Sequence, residues 1–553
     1  MAPRNPKRAR RTAPVSTPAA RGTWRGSPVP LLLSILAVFA VSFLVHARTL
    51  GFDFLTSWDD PTYVVQNPWI RGLTRENLVH AFTQPYFANY LPLHLVSYMV
   101  DYTFWGLRPY GYHLQSVLLD AINAGLALLV VRRLSGSLPL ALVAALLFAV
   151  HPSHVEAVAW VSIRKDLLST AFLLLTVLFY LEAVEPRRLK PGWYAASCVA
   201  FLLGLLSKVS IAALPAFLLL LDLFPAPGRH RLSVRASLVT KIPYLLVALG
   251  LVLVNSRVQV RAQAPYAHDA LRYLMVKGHA VWNYLALLTG IPRGRPVYDT
   301  PEFSLGAGSV LWNLAGIVVL PAVLGIGALR RWRLVTLGAG WLFVLLVPAI
   351  AFPLVTYMAD RYLYAPSLGC CWIIAAGIVL AGARVPAGAP RIAVLAALVA
   401  VPLALWVERT IAYDEVWRNG ANLWTYASAR SRDYRVQNNL AQEMLNENRY
   451  QDAERYYRFA SAAENPVSHQ GLATVYYDQK RYPEAQREIE IALDVALRKG
   501  TDPQNMADLQ FTRGAIYWVL GQNPKAIEAW EAALRANPYH AAARQWLEKA
   551  RGG

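Results

Sequence analysis

Two adjacent carboxylates, Asp59 and Asp60, stand in the loop Trp58-Asp59-Asp60-Pro61-Thr62-Tyr63, close behind the first long apolar run of the chain. A carboxylate held just off a membrane segment can take the proton of an acceptor hydroxyl as its oxygen attacks, so this pair is the candidate general base. Asp60 precedes Pro61, the arrangement of a helix N-cap, whereas Asp59 has no such structural duty and is the better single candidate. Further ionisable residues recur where apolar runs end: His151-Pro152-Ser153-His154-Val155-Glu156, Arg164-Lys165-Asp166, Ser207-Lys208 and Asp360-Arg361-Tyr362. A lone Lys or Arg there often ends a helix in the headgroup zone, but a concentration of charge marks a polar cavity and a substrate path. Arg164, Lys165, Lys208 and Arg361 suit a phosphate, Arg as a bidentate fork and Lys as a point charge. His151, His154, Glu156, Asp166 and Asp360 would line the same pocket. Pro152 interrupts any helix face shared by His151 and His154, so no metal pair is expected there.

The elements that must position these residues follow from composition. The chain has 553 residues, 56% of them hydrophobic and 16% charged, with mean hydropathy +0.31, which excludes a soluble globular class and fits a polytopic membrane protein. The net charge of +20 would suggest nucleic acid in a soluble protein, but here the basic residues flank apolar runs, the pattern of membrane orientation. Residues 1–28, with Arg4, Lys7, Arg8, Arg10, Arg11, Arg21 and Arg25, form a disordered tail that stays in the cytoplasm. The run after it ends in Val45-His46-Ala47, which resembles a cleavage site, but its core and leader are too long for a signal peptide and a retained anchor is expected. Length and apolarity predict about eleven membrane-spanning helices, near 29–47, 112–131, 138–152, 167–184, 192–206, 209–224, 240–256, 308–329, 334–351, 366–383 and 391–408. Arg132-Arg133, Arg187-Arg188-Lys190, Arg229 to Arg235, Arg330-Arg331-Arg333 and Arg384 then fall on the side of the basic tail, and an odd count puts the C-terminal region outside. Segments 92–106 and 271–290 carry His94, Asp101, Arg272, Lys277 and His279. They are expected as interfacial helices, with Tyr98, Trp105, Trp282 and Tyr284 among the rings available to the headgroup belt.

Beyond Glu408 the composition turns soluble and helical, with self-similarity near 34 residues. Asn438-Asn439-Leu440-Ala441 with Arg449-Tyr450-Gln451-Asp452-Ala453 and Tyr457 opens one unit. Gly471-Leu472-Ala473 with Arg481-Tyr482-Pro483-Glu484-Ala485 is a second, and Gly514-Ala515-Ile516-Tyr517 with Asn523-Pro524-Lys525-Ala526-Ile527 a third. Small residues let paired helices approach, so residues 409–553 read as about three tetratricopeptide repeats with a capping helix at 540–551. Such a solenoid either holds an extended peptide or caps the membrane domain, residues 29–408. The whole chain is thus expected to be all-α. Cys198, Cys370 and Cys371 lie in apolar stretches and imply no disulfide framework.

The order Trp58-Asp59-Asp60, Tyr90-Leu91-Pro92-Leu93, Gly111-Tyr112-His113, His151-Pro152-Ser153-His154-Val155-Glu156-Ala157-Val158-Ala159, Arg164-Lys165-Asp166, Leu206-Ser207-Lys208 and Asp360-Arg361-Tyr362-Leu363-Tyr364, ending in such repeats, resembles the transmembrane and tetratricopeptide-repeat O-mannosyltransferases. The resemblance implies a GT-C fold, a catalytic acid in the first outer loop and a polyprenyl-phosphate-linked sugar, mannose or another hexose, as donor. The acceptor would be Ser/Thr hydroxyls of exported proteins, with the repeats binding polypeptide, and the setting the cytoplasmic membrane with site and repeats on its outer face. A GT-C enzyme acting on an envelope glycan or lipid, and a non-catalytic membrane-anchored scaffold, are the alternatives. The sequence departs from the family in its few repeats and in Lys165, where members carry an uncharged residue before the Asp.

Overall fold

The protein, in a computed structural model, is described over residues 28–87, 89–185, 188–227, 231–258, 269–354 and 356–552. The basic tail up to residue 27, Arg187 and Arg229 lie outside these residues. The chain folds as helices. One exception among the described residues is an antiparallel pairing of Val184–Glu185 with Arg188–Leu189.

The first helix, α1 (Val29–His46), is followed by the Asp loop, whose Pro61–Val65 forms a single π-helical turn. After α2 (Arg75–Thr83) and α3 (Pro92–Trp105) comes the long α4 (Pro109–Ser135). Gly136 closes α4 in the left-handed region at φ 75°, and Ser137 then caps α5 (Leu138–Ala149) by accepting from the Leu140 amide. Pro152, which has no N–H to give, breaks the helical path: α5 and the stretch Pro152–Ala159, containing α6 (Val155–Ala159), meet at a 51° bend. His151 there takes the extended conformation that precedes proline, φ −70° and ψ 125°. Next come α7 (Arg164–Ala183), α8 (Pro191–Ser207), α9 (Leu214–Leu223), α10 (Val234–Val239), α11 (Ile242–Val258) and α12 (Ala270–Leu287). The membrane-length part closes with α13 (Ala307–Leu329), α14 (Arg333–Ala351), α15 (Ser367–Ala383) and α16 (Ala389–Asp414).

Each of the eleven apolar runs predicted as a span is helical. Among the described residues seven helices are long and apolar enough to cross a membrane, or eight if the bent pair is one span. The remaining three, Pro191–Ser207, Val209–Leu223 and Ser367–Ala383, are shorter apolar helices. Burial sorts the long ones. In their most apolar windows, Pro109–Ser135, Val161–Ala183 and Arg333–Ala351 are 61–67% buried, while α1, α11 and α13 are 22% and α16 6% buried. The first group is the core of the bundle, and the second exposes Leu246, Leu249, Leu311 and Val401 as a lipid-facing surface would.

The aromatic rings of segments 92–106 and 271–290 divide: Tyr98 and Tyr284 are buried, at 0% and 1% exposure, while Phe104 and Trp105 are exposed and Trp282 is half-buried. Of their polar residues, His94, Asp101 and Lys277 turn inward, while Arg272 stays exposed. Asp101 pairs with Arg164, and the Lys277 ammonium donates to the Ala349 carbonyl at 3.0 Å.

Past α17 (Gly420–Ser428) run three helix pairs: α18 (Tyr434–Asn446) with α19 (Tyr450–Ser461), α20 (Pro466–Asp478) with α21 (Tyr482–Lys499), and α22 (Pro503–Val519) with α23 (Asn523–Ala536). A last helix, α24 (Ala541–Gly552), follows. Each pair turns on one left-handed residue, Asn448, Lys480 or Gly521, at φ 59°, 62° and 71°. The next amide reaches back to Met444, Tyr476 and Tyr517 at 2.8, 2.8 and 2.9 Å, closing the helix in the same way three times. Five residues past each turn sits a fully buried alanine, Ala453, Ala485 or Ala526. Gly514 lies where any Cβ would run into the Trp530 ring, so the close approach of α22 and α23 requires glycine.

Candidate active site

The Asp loop divides its two carboxylates between two tasks. Asp60 is buried, at 1% exposure. One of its oxygens accepts from the Leu55 amide at 2.9 Å; the other accepts from the Ser162 amide at 3.1 Å and from the Ser162 hydroxyl. Burial pushes its carboxyl up to about 6 against the pull of those bonds. The N-cap expected of Asp60 is absent: its backbone is already helical and its side chain caps nothing. Its structural duty is instead to tie the loop to the start of α7, a partner about a hundred residues away. Asp59 is partly open and lines a cavity of about 1810 Å³ between the membrane helices and α17 and α18. Burial raises its carboxyl above the ordinary value, opposed by the positive charges of Lys165 and Arg361.

Three of the four cations read from the sequence meet Asp59 there, for Lys165, Lys208 and Arg361 all line the cavity, with Asp166 beside them. Lys208 is paired with Asp166 at 2.5 Å. Arg361 is gripped by the buried Glu156, which accepts from its guanidinium and, at 2.8 Å, from its backbone amide. Among the described residues Lys165 has no carboxylate in ion-pair range; its ammonium lies 5.1 Å from the centre of the Tyr63 ring. Arg164 is not with them. Its guanidinium is fully buried and turned the other way, onto Asp101, Gln115 and the Tyr112 carbonyl, 4.8 Å from the Tyr98 ring. Neighbours on a helix point about 100° apart, so Lys165 and Arg164 cannot both face one cavity.

His151, His154 and Asp360 also stand behind the cavity wall rather than in it. His151 donates through Nε2 to the Leu288 carbonyl at 3.3 Å and accepts from the Ser153 amide on Nδ1. His154 meets the Ser367 hydroxyl at 2.8 Å and lies against Phe148 and Tyr364. Asp360 accepts from Tyr298 at 2.5 Å and Tyr413 at 3.2 Å; burial, with the Glu156 charge nearby, raises its carboxyl. The bent segment 151–156 is therefore a brace that delivers Glu156 to Arg361.

Residues given no role in the site from the sequence complete the surroundings. Ser162 holds Asp60, and Trp424, Arg435 and Asn439 bring the C-terminal helices to the cavity. Trp58 packs between Trp160 and Trp424, with ring centres 4.0 and 4.8 Å away, and the Trp424 indole donates to Ser57 at 2.6 Å. The Asp53 amide bonds the Arg418 carbonyl at 3.1 Å. The Asp loop is thus clamped by the first residues beyond the last membrane helix. Tryptophans 58 and 424 are hundreds of residues apart, and no local pattern announces such a contact.

The helices define a multi-pass membrane protein with a charged cavity, and parts of its sequence are similar to known proteins. A family described as dolichyl-phosphate-mannose-protein mannosyltransferase matches residues 95–258. Protein O-mannosyl-transferase F38B6.6 of Caenorhabditis elegans is 26% identical over 375 residues, covering 62% of this chain and 51% of its own length. Protein O-mannosyl-transferase TMTC4 of Mus musculus is 25% identical over 504 residues, covering 78% of this chain and 66% of its own. Protein O-mannosyl-transferase tmtc2 of Xenopus laevis is 33% identical over 181 residues, covering 31% of this chain and 21% of its own. The chain spans about half the length of several of these curated relatives and less of others. Among solved structures, ArnT from Cupriavidus metallidurans bound to undecaprenyl phosphate aligns at 15% identity and TM-score 0.35, over 71% of this chain and 76% of that one. The chain is similar in sequence to proteins named protein O-mannosyl-transferases.

Proposed function

We propose that the protein is a membrane glycosyltransferase of GT-C type that moves a hexose from a polyprenyl-phosphate donor to Ser/Thr hydroxyls of exported proteins. The observation that carries this reading is the gathering of Asp59, Lys165, Lys208 and Arg361 around one cavity. Asp59 takes the proton of the acceptor hydroxyl while its oxygen bonds the anomeric carbon. The bond from that carbon to the phosphate oxygen breaks in the same displacement, the electron pair leaving with the phosphate, so configuration inverts. A phosphate leaves well without protonation, and no second carboxylic acid is required, unlike the pair of a glycosidase. Lys165, Lys208 and Arg361 stabilise the negative charge that gathers on it. Val252, Leu345, Val347 and Phe352 on the same cavity suit the isoprenoid tail.

In this reading the N-terminus is cytoplasmic and the cavity lies on the outer face of the cytoplasmic membrane. The three C-terminal helix pairs are read as tetratricopeptide repeats, residues 409–553, that meet the polypeptide acceptor. Mass spectrometry of outer-face proteins and envelope glycans from cells with and without the chain tests this. Loss of a hexose from Ser/Thr peptides is expected. Loss confined to a glycan or lipid would replace the protein acceptor, and no loss at all would overturn the enzyme.

A further inference from the structure

The positive charge of this chain is not used up by orientation. Arg293 and Arg295 flank Gly294 in the strap 289–299, which follows α12 and reaches the cavity through Pro296 and Val297. The Gly294 carbonyl accepts from the Tyr426 hydroxyl of α17 at 3.2 Å. Arg430 lies over that same Tyr426 ring, 3.7 Å from its centre, and the Arg432 amide bonds Asp299 of the strap at 3.0 Å. The strap and the turn that follows α17 therefore assemble four arginines at one junction. All four are exposed, and none of their guanidiniums is in an ion pair among the described residues. Next to them in sequence, Pro296, Val297 and Arg435 line the cavity that holds Asp59, together with Asn439.

Four like charges brought together repel, and many arginines on the C-terminal helices are answered, Arg449 by Asp452, Arg481 by Glu484 and Arg458 by Glu454. The four are also on the Asp59 side, where the charge bias that orients membrane proteins does not call for them. Asp299 at the junction is taken up by the Ser431 hydroxyl and the Arg432 amide, and Asp433 by Arg435, so the cluster keeps a net positive charge that fits a partner supplying carboxylates. The cluster is built on the strap and on the turn after α17, not on the membrane-length helices, and Asn439 on the adjoining wall offers an amide NH2 and a carbonyl, which can pair with a peptide group.

We propose that Arg293, Arg295, Arg430 and Arg432 form a docking rim for an acidic stretch of the acceptor polypeptide, whose Ser or Thr is thereby presented to Asp59. This rests on the protein-acceptor reading above. Exposed Arg–carboxylate pairs are individually weak, so the preference is additive and salt-sensitive.

The test uses the full chain in nanodiscs of neutral phosphatidylcholine and two fluorescent Ser/Thr peptides identical except that Asp/Glu in one are Asn/Gln in the other. The acidic peptide should bind about tenfold more tightly at low salt. That advantage should shrink in 0.5 M salt and vanish in the variant R293Q/R295Q/R430Q/R432Q at unchanged Tm. Single substitutions should each remove part of it, which keeps the test valid if the quadruple variant folds poorly. Equal binding of the two peptides, or a preference that survives the substitutions, overturns the rim. So does a variant defect seen only with anionic phosphatidylglycerol in the disc, which would assign the arginines to lipid. Transfer of sugar to the neutral peptide separates the two levels: if it occurs without any acidic preference, the rim alone falls, and if no peptide is ever modified, the protein-acceptor reading falls with it.

Discussion

Asp59 and Asp60 are neighbours in sequence with separate fates, and the difference is physical. Asp60 receives three hydrogen bonds from Leu55 and Ser162, using both oxygens. An Asn there would turn an NH2 toward a donor, so Asp60→Asn, harmless at an N-cap, is expected to lower stability by about 1–3 kcal/mol. Thermal unfolding of the purified variant checks this; an unchanged Tm would show that the tie does not matter. Asp59 faces the cavity, and its proton is held more tightly than in an ordinary carboxylic acid because burial outweighs Lys165 and Arg361. A base works only when deprotonated, so single-turnover transfer should fall as pH drops through this raised value, at a higher pH than for a free carboxylate. A rate that stays flat down to pH 4 would remove Asp59 as the base. The pair was legible as chemistry because two acids beside an apolar run are conspicuous. What Asp60 does was not, because Ser162 is brought to it only by the fold.

The helices themselves could be read from length and apolarity, since a long run without charges has few other uses. What could not be read is which way a charged residue at a helix start points. Arg164 and Lys165 are adjacent, yet one closes a buried knot with Asp101 and the other faces the cavity. The partner that decides this lies 63 residues back on α3. For the same reason the partner of Asp101 on the segment 92–106 could not be read from the sequence. The bend at His151-Pro152 carries a prediction of its own. It exists to place Glu156 under Arg361, so Glu156→Gln and Arg361→Lys should fail alike, the first losing the grip and the second the fork. Each should cut transfer by roughly tenfold or more. Transfer at wild-type level in either variant, in a polyprenyl-phosphate-hexose assay, would show that Arg361 need not be held for the reaction.

At the scale of the whole molecule, the clamp of Trp58 and Ser57 against Trp424 packs the C-terminal helices against the Asp loop, and the proposed topology puts both on one side of the membrane. Alkaline phosphatase fused at Gly553 and, separately, in the loop after α1 should be active at both sites; activity at one and not the other would break that relation. The central claim is narrower and can be met directly. With full-length protein and a polyprenyl-phosphate-hexose donor, single-turnover transfer to a Ser/Thr peptide is measured for the wild type and for Asp59→Asn, with donor binding and Tm followed alongside. The account predicts a loss of about 10²- to 10⁴-fold in transfer while binding and Tm are kept; transfer by Asp59→Asn at the wild-type rate would contradict it.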